Sequence, residues 1–283
     1  MRVELALAFL SLISLSCSSL SHRTNALLQN APQPSAGAPR SIGRYDAGCI
    51  AGAQSLPLDG NGYVVMRPSR NRFYGHPELI EMISTLGASA EAQGLGEVLV
   101  GDLSQPRGGP MASGHASHQL GLDVDLWYLA VPGSVARSSR ETLEAPSVFK
   151  QGSLDSSRWG LRQERLLKLA ASDARVERIF VNPALKLALC ATAGDKTWLA
   201  KLRPWSGHDD HFHVRLRCPS ASLACWHQEA PPPGDGCQEA VGLAQYFAEQ
   251  AKLELDKHEP LAVREIKLPQ ECEALARESM PLL

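Results

Sequence analysis

Two stretches of this chain gather the side chain types that hold a metal and activate water beside it. The first is Ser113-Gly114-His115-Ala116-Ser117-His118-Gln119-Leu120-Gly121-Leu122-Asp123-Val124-Asp125, and the second, far downstream, is His208-Asp209-Asp210-His211-Phe212-His213. Five of the nine histidines sit in these two places, a clustering that random scatter rarely produces. Neutral imidazoles and carboxylates are zinc ligands, and a catalytic zinc takes three protein ligands while a fourth position stays open to water. The pattern therefore reads as a split zinc site.

Strand periodicity says how such a site is positioned. His211-Phe212-His213-Val214-Arg215-Leu216-Arg217 alternates polar and apolar with period two, as a half-buried strand does. His211 and His213 then point one way, while Phe212, Val214 and Leu216 pack into the core. Leu122, Val124 and Leu126 alternate likewise with Asp123 and Asp125, so a glycine-containing turn carrying His118 leads into a strand carrying Asp125. Asp123 shares the face of Asp125 and is an alternative ligand. His118 and Asp125 are two helical turns apart in sequence, about 10 Å along a helix, so a loop must fold the histidine back. Isolated histidines such as His76 and His227 read as surface or capping residues. Asp102, after the apolar run Val98-Leu99-Val100, reads as a strand-end residue that orients a neighbouring loop.

The remaining chain alternates helix and strand without a repeat. Pro77 followed by Leu79, Ile80, Met82, Ile83 and Leu86 has the spacing of an amphipathic helix. Glu97 to Asp102 reads as a buried strand, and Gly108-Gly109-Pro110 as an exposed loop before the first motif. Leu161 to Ala170 suggests a helix, Val176 to Val181 a strand, and Pro183 the start of a short helix toward Cys190. Pro231-Pro232-Pro233-Gly234 breaks regular structure before a peripheral helix around Val241 to Leu253. The predicted architecture is one α+β domain with a small central antiparallel sheet flanked by helices and loops.

At 283 residues and 44% hydrophobic content the chain can bury a sizeable core. A net charge of -2 with both signs interspersed argues against a nucleic-acid binder and offers no block of charge for a membrane surface. Leu5 to Leu15 is apolar but too short to span a bilayer, so residues 1–21 read as a signal peptide. Ser14-Leu15-Ser16-Cys17 gives an alternative, a lipoprotein signal ending at Cys17, and that lipid would be the chain's one membrane attachment. Residues 22–40 are rich in proline, alanine and glutamine and read as a flexible linker. Residues 41–283 form the folded domain, with a peripheral C-terminal segment. Beyond Cys17 stand Cys49, Cys190, Cys218, Cys225, Cys237 and Cys272, an even number in an exported chain. They imply three disulfides, among fifteen arithmetically open pairings.

Gly114-His115-Ala116-Ser117-His118-Gln119, Gly121-Leu122-Asp123-Val124-Asp125, Arg203-Pro204-Trp205 and His211 to Pro219 together resemble the penicillin-insensitive murein endopeptidase family. That family belongs to the wider group of lysostaphin-type endopeptidases, D-Ala-D-Ala metallopeptidases and hedgehog-like domains. Val65-Met66-Arg67, Phe73-Tyr74-Gly75-His76-Pro77 and Arg178 to Ala184 carry the same resemblance, which runs from about Ser41 to about Cys237. It implies that His118, Asp125 and His213 bind the catalytic zinc, that His211 is a base or transition-state stabiliser, and that His208 is an auxiliary active-site histidine. His115 would belong to a second, less essential metal position, with partners from the segment around Phe149 to Ser156, which holds no histidine here. The implied disulfides are Cys49 with Cys272, Cys190 with Cys237, and Cys218 with Cys225.

The implied activity is hydrolysis of D-alanyl-meso-diaminopimelyl cross-links between peptidoglycan stem peptides, in the bacterial periplasm, by metal-activated water. Such a site offers β-lactams no serine to acylate. Two alternatives share parts of the pattern: a D,D-carboxypeptidase, and a non-catalytic zinc-containing module that binds the cell wall. Arg67, Arg203 and Arg215 are candidates to pair with a substrate carboxylate, or else structural arginines. Oligomeric state is not legible.

Overall fold

The computed structural model describes residues 23–112, 115–255 and 266–278. The expected signal peptide and Cys17 lie outside the described residues, as do Ser113 and Gly114. In chain order, helix α1 (23–29) precedes a hairpin of β1 (Arg40–Arg44) and β2 (Ala47–Ala51). Then come β3 (Gln54–Ser55), β4 (Asp59–Gly60), β5 (Tyr63–Val65), β6 (Tyr74–Gly75), α2 (Pro77–Ala92), β7 (Val98–Val100) and β8 (Asp123–Trp127). A hairpin of β9 (Phe149–Lys150) and β10 (Ser153–Leu154) leads to α3 (Leu161–Ser172), β11 (Val176–Val181), α4 (Pro183–Thr192), β12 (Leu202–Pro204) and β13 (His211–Leu216). Helices α5 (Cys237–Leu255) and α6 (Gln270–Arg277) follow.

Seven strands form the central sheet, in the order β12-β11-β13-β8-β7-β5-β4. The α+β class holds. The sheet is larger than the small antiparallel one expected, and it is mixed, because β5 with β7 and β11 with β12 run parallel. Parallel neighbours need a long crossover, and α2 and α4 lie within these two. The added strands are two or three residues long, too short to show a period in sequence.

Local signals set the helix starts. Pro77 occupies the first turn of α2, where its missing N–H costs nothing, and the His76 side chain accepts a hydrogen bond from the Glu78 N–H at 3.3 Å. Asn182 caps α4 in the same way, accepting from the Ala184 N–H at 2.9 Å. The buried residues Leu79, Met82, Ile83, Leu86 and Ala90 form one stripe along α2, directed at the sheet core. Phe212, Val214 and Leu216 are fully buried. At about 2 kcal/mol for each side chain withdrawn from water, this apolar face pins the register of β13.

Residues 23–40, expected as a flexible linker, are packed instead. Leu28 of α1 is fully buried in a second cluster with Ile42, Cys49 and Leu275. The Gln29 side chain donates to the Pro110 carbonyl at 2.9 Å, Arg107 donates to the Gln33 carbonyl, and Gly52 N–H donates to Ser35 Oγ. Composition pointed the wrong way because the Leu27-Leu28 pair supplies an anchor that packs into this second cluster.

The six cysteines pair as Cys49–Cys272, Cys190–Cys237 and Cys218–Cys225, the pairing that the resemblance implies. These bonds tie α6 to β2, α4 to α5, and close the loop that follows β13. Among the described residues no helix is long and apolar enough to cross a membrane.

Candidate metal centre

Strands β8 and β13 run antiparallel, with His213 opposite Asp125 and Arg215 opposite Asp123. Period two puts all four side chains on one face of the sheet, and facing pairs in such ladders lie close enough to interact. Asp123 Oδ1 accepts from His213 Nε2 at 2.8 Å and from Arg215 Nε at 2.6 Å, while its Oδ2 accepts from the His118 backbone N–H at 3.1 Å. The Asp123 carboxylate is thus fully engaged. Asp125 is not: its buried Oδ1 has no hydrogen-bond partner.

Three imidazole nitrogens surround that oxygen. His118 Nε2 stands 3.3 Å away, and His213 Nδ1 and His211 Nε2 each stand 3.6 Å away. His118 comes from the loop between β7 and β8, in a left-handed conformation with φ 65°. The backbone bond to Asp123 and a bond from His118 Nδ1 to the Leu103 carbonyl, at 2.9 Å, hold it there. Because Nδ1 spends its hydrogen on Leu103, Nε2 presents a lone pair, and that atom too is buried without a partner. His213 is the mirror case, with Nε2–H donated to Asp123 and Nδ1 free.

These donors fit a zinc ion. Tetrahedral coordination at 2.0–2.2 Å places ligand atoms about 3.3–3.6 Å apart, the spacing at which His118 Nε2 and His213 Nδ1 each stand from Asp125 Oδ1. Two of these atoms are otherwise orphaned in the interior, where an unpaired polar atom costs about 1–3 kcal/mol. His115, His118 and Asp125 also bring one ligand atom each within 4.8 Å of one another. His115, however, faces the other oxygen of Asp125, Oδ2, at 3.6 Å, and its Nε2 donates to Asp102 Oδ2 at 3.0 Å. His118 and His213 are therefore the better partners for Asp125 Oδ1.

Charge is balanced tightly. Burial pulls Asp125 up, but the imidazoles of His118 and His211 outweigh it and hold the carboxyl well below the usual range. Burial also opposes protonation of His118, yet the charge of Asp125 outweighs it and raises the pKa. Burial, reinforced by the charge of His118, lowers His213 to about 3. His211 goes the other way: burial is outweighed by Asp125 and Asp210, which raise it to about 9. Its Nδ1 donates to Asp210, leaving Nε2 toward the cluster. Burial, helped by His211, lowers His208 to about 4; its Nδ1 donates to the Ser206 carbonyl at 3.0 Å and its ring lies 5.1 Å from that of His211.

All the residues expected at the site, His115, His118, Asp125, His208, His211 and His213, converge here. Asp102 does orient the neighbouring loop, accepting from His115 and from Arg70 and Arg72 at 3.0 and 2.9 Å. The two arginines and the Leu103 carbonyl escaped the sequence reading; a backbone oxygen leaves no trace in residue type. Arg215 carried a legible signal, since it continues the alternation of His211 and His213. It is buried on Asp123 between the rings of Tyr45 and Phe180, at 4.2 and 4.9 Å, so it is a structural arginine. Arg203 pairs with Glu239, and Arg67 lies over the Trp127 ring.

The family model described as penicillin-insensitive murein endopeptidase matches residues 41–277. The penicillin-insensitive murein endopeptidase of Yersinia enterocolitica is 50% identical over 215 residues, covering 74% of this chain and 77% of that protein. That of Klebsiella pneumoniae is 47% identical over the same length and shares of each chain. That of Salmonella paratyphi B is 46% identical over 256 residues, covering 88% of this chain and 90% of its own.

Proposed function

Because the chain belongs to the penicillin-insensitive murein endopeptidase family, we propose that it cleaves D-alanyl-meso-diaminopimelyl cross-links of peptidoglycan with a zinc ion held by His118, Asp125 and His213. At the coarser level it is a peptidase, and peptidoglycan is its substrate. The observation that carries the zinc reading is the pair of buried, unpartnered atoms His118 Nε2 and Asp125 Oδ1, 3.3 Å apart. A zinc ion there would supply a Lewis acid for the scissile carbonyl and bring water to nucleophilic strength near neutral pH.

The protein's own groups do the rest. Asp123 fixes the ring of His213 and the backbone of His118, so both lone pairs are aimed before any ligand arrives. His211, oriented by Asp210, presents Nε2 beside Asp125 and is placed to hold a proton for the departing amine. His208, neutral and with Nε2 turned from its Ser206 bond, lies beside it with that nitrogen open to a hydrogen bond. His115 links Asp102 to Asp125 and steadies the loop on the other flank. We further propose that the enzyme acts in the bacterial periplasm; three disulfides suit an oxidising compartment.

Digestion of purified sacculi with and without chelator tests this. Cross-linked dimers should convert to monomers without loss of terminal D-Ala, chelation should stop it, and added zinc should restore it. Release of terminal D-Ala with dimers intact would establish a carboxypeptidase instead, and indifference to chelator would remove the metal.

A further inference from the structure

Resting on the reading of this chain as a peptidoglycan peptidase, we propose that the cavity between β1 and Trp226 is a glycan subsite, which holds the sugar backbone from which the cleaved stem peptide hangs. The cavity encloses about 750 Å³, within the range of small-molecule sites. Ile42 and Arg44 of β1, Trp226, Lys267, Pro269 and Ala116 contribute walls. Ala116 stands between His115 and His118 in the chain, so the cavity and the metal centre share one loop as a partition. A stem of three or four extended residues spans roughly 10–14 Å. The sugar joined to it therefore lies away from the scissile bond, and a cavity lined by the loop that carries His115 and His118 is placed to receive it.

Trp226 is an independent sign. It is 62% exposed, yet its backbone is firmly held. Its N–H donates to the Gly43 carbonyl at 2.9 Å, the Gly43 N–H donates to the Ala224 carbonyl at 2.8 Å, and the preceding residue, Cys225, is bonded to Cys218. Ser41 N–H adds a bond to Ser222 Oγ in the same loop. Gly43, at φ +89°, lets Pro269 close the floor, since a Cβ there would stand 2.7 Å from Pro269 Cγ. An indole exposed on a fixed backbone offers a flat apolar face at little ordering cost, the surface against which the C–H face of a pyranose stacks. Around it, Arg44 grips Asp46 through two bonds, and Lys267 and Glu271 complete a rim of both signs. Mixed donors and acceptors without a net field suit a neutral ligand of hydroxyl and acetamido groups better than a chain of one charge.

The test uses N-acetylglucosamine tetramer, which has the backbone sugar chemistry but no peptide, titrated into the whole protein while tryptophan fluorescence and heat are followed. Wild-type protein should bind it saturably, Trp226→Ala should weaken binding at least tenfold, and Leu223→Ala, on the same loop, should bind as wild type. On intact sacculi relative to a sugar-free bridged peptide, the ratio of kcat/KM should fall about tenfold in Trp226→Ala, through KM. No saturable sugar binding, equal binding by Trp226→Ala, or an unchanged ratio would overturn the subsite. So would self-association that Trp226→Ala abolishes without any sugar binding, which would mark the face as a contact between copies. Failure of the endopeptidase reading looks different: the wild type would cut neither substrate, whatever it binds.

Discussion

The strand pair β8 and β13 and the loop between β7 and β8 contribute to one site by opposite means. In the strand pair, Asp125 and His213 face each other because antiparallel register leaves them no other place. In the loop, His118 is held in a left-handed conformation by distant groups, among them Leu103 and Asp123. Glycines make this path passable: at Gly108, φ +64°, a Cβ would stand 1.9 Å from the Gln119 carbonyl oxygen. The strand half is preorganised by repetition, and the loop half by particular contacts. A site divided in this way should lose metal and chemistry first when the strands are altered, and lose stability with little change in chemistry when the loop is.

The largest effect should come from Asp125→Ala or His213→Ala, with zinc content and sacculus digestion lost while far-UV circular dichroism stays that of the wild type. A folded variant that keeps stoichiometric zinc would break the assignment of the strand half. Asp123→Asn should come next. It leaves the ligands in place but weakens their orientation, so zinc affinity measured by chelator competition should fall about 10–100-fold. It also strips buried Arg215 of its counter-charge, at about 3–5 kcal/mol of stability. Affinity unchanged in this variant would mean that the strand fixes His213 without Asp123.

Gly108→Ala should lower thermal stability by about 1–3 kcal/mol or more, through backbone strain and the steric clash with Gln119. Activity per folded molecule should fall less than in the strand variants. The smallest effect is in acid. The hydrogen bond from His115 and the charges of Arg70 and Arg72, outweighing burial, hold Asp102 at about 2 against an ordinary 3.8. Between those values the unfolded chain binds more protons, so the contribution of Asp102 is full above about pH 4 and is lost as pH falls toward 2. It amounts to about 2 kcal/mol at 1.36 kcal/mol per pKa unit. Asp102→Asn should flatten the fall in melting temperature between pH 4 and 2. An unchanged slope would show that the link between Asp102 and the loop is not electrostatic.

Legibility followed the same division. Alternation exposed β13, β8 and their shared face, and proline with apolar spacing located α2 and α4 to within a few residues. The short strands β4, β5 and β12 were hidden because two or three residues carry no period. The packed strap 23–40 was misjudged because composition reports what a segment lacks, and Leu28 shows that one buried anchor is enough. The disulfide pairing came from family resemblance, since cysteine arithmetic treats all fifteen pairings alike.

What the chain's own order of residues determined is therefore the set of donors and which of them share a strand face, because alternation is a local property of an extended backbone. Which nitrogen of each imidazole stays free, which aspartate is consumed and which is left open, and where Arg215 spends its charge were decided by the folded molecule. Those outcomes depend on bonds between residues 90 and 92 positions apart and on a backbone carbonyl. No local pattern encodes distances of that kind; packing sets them.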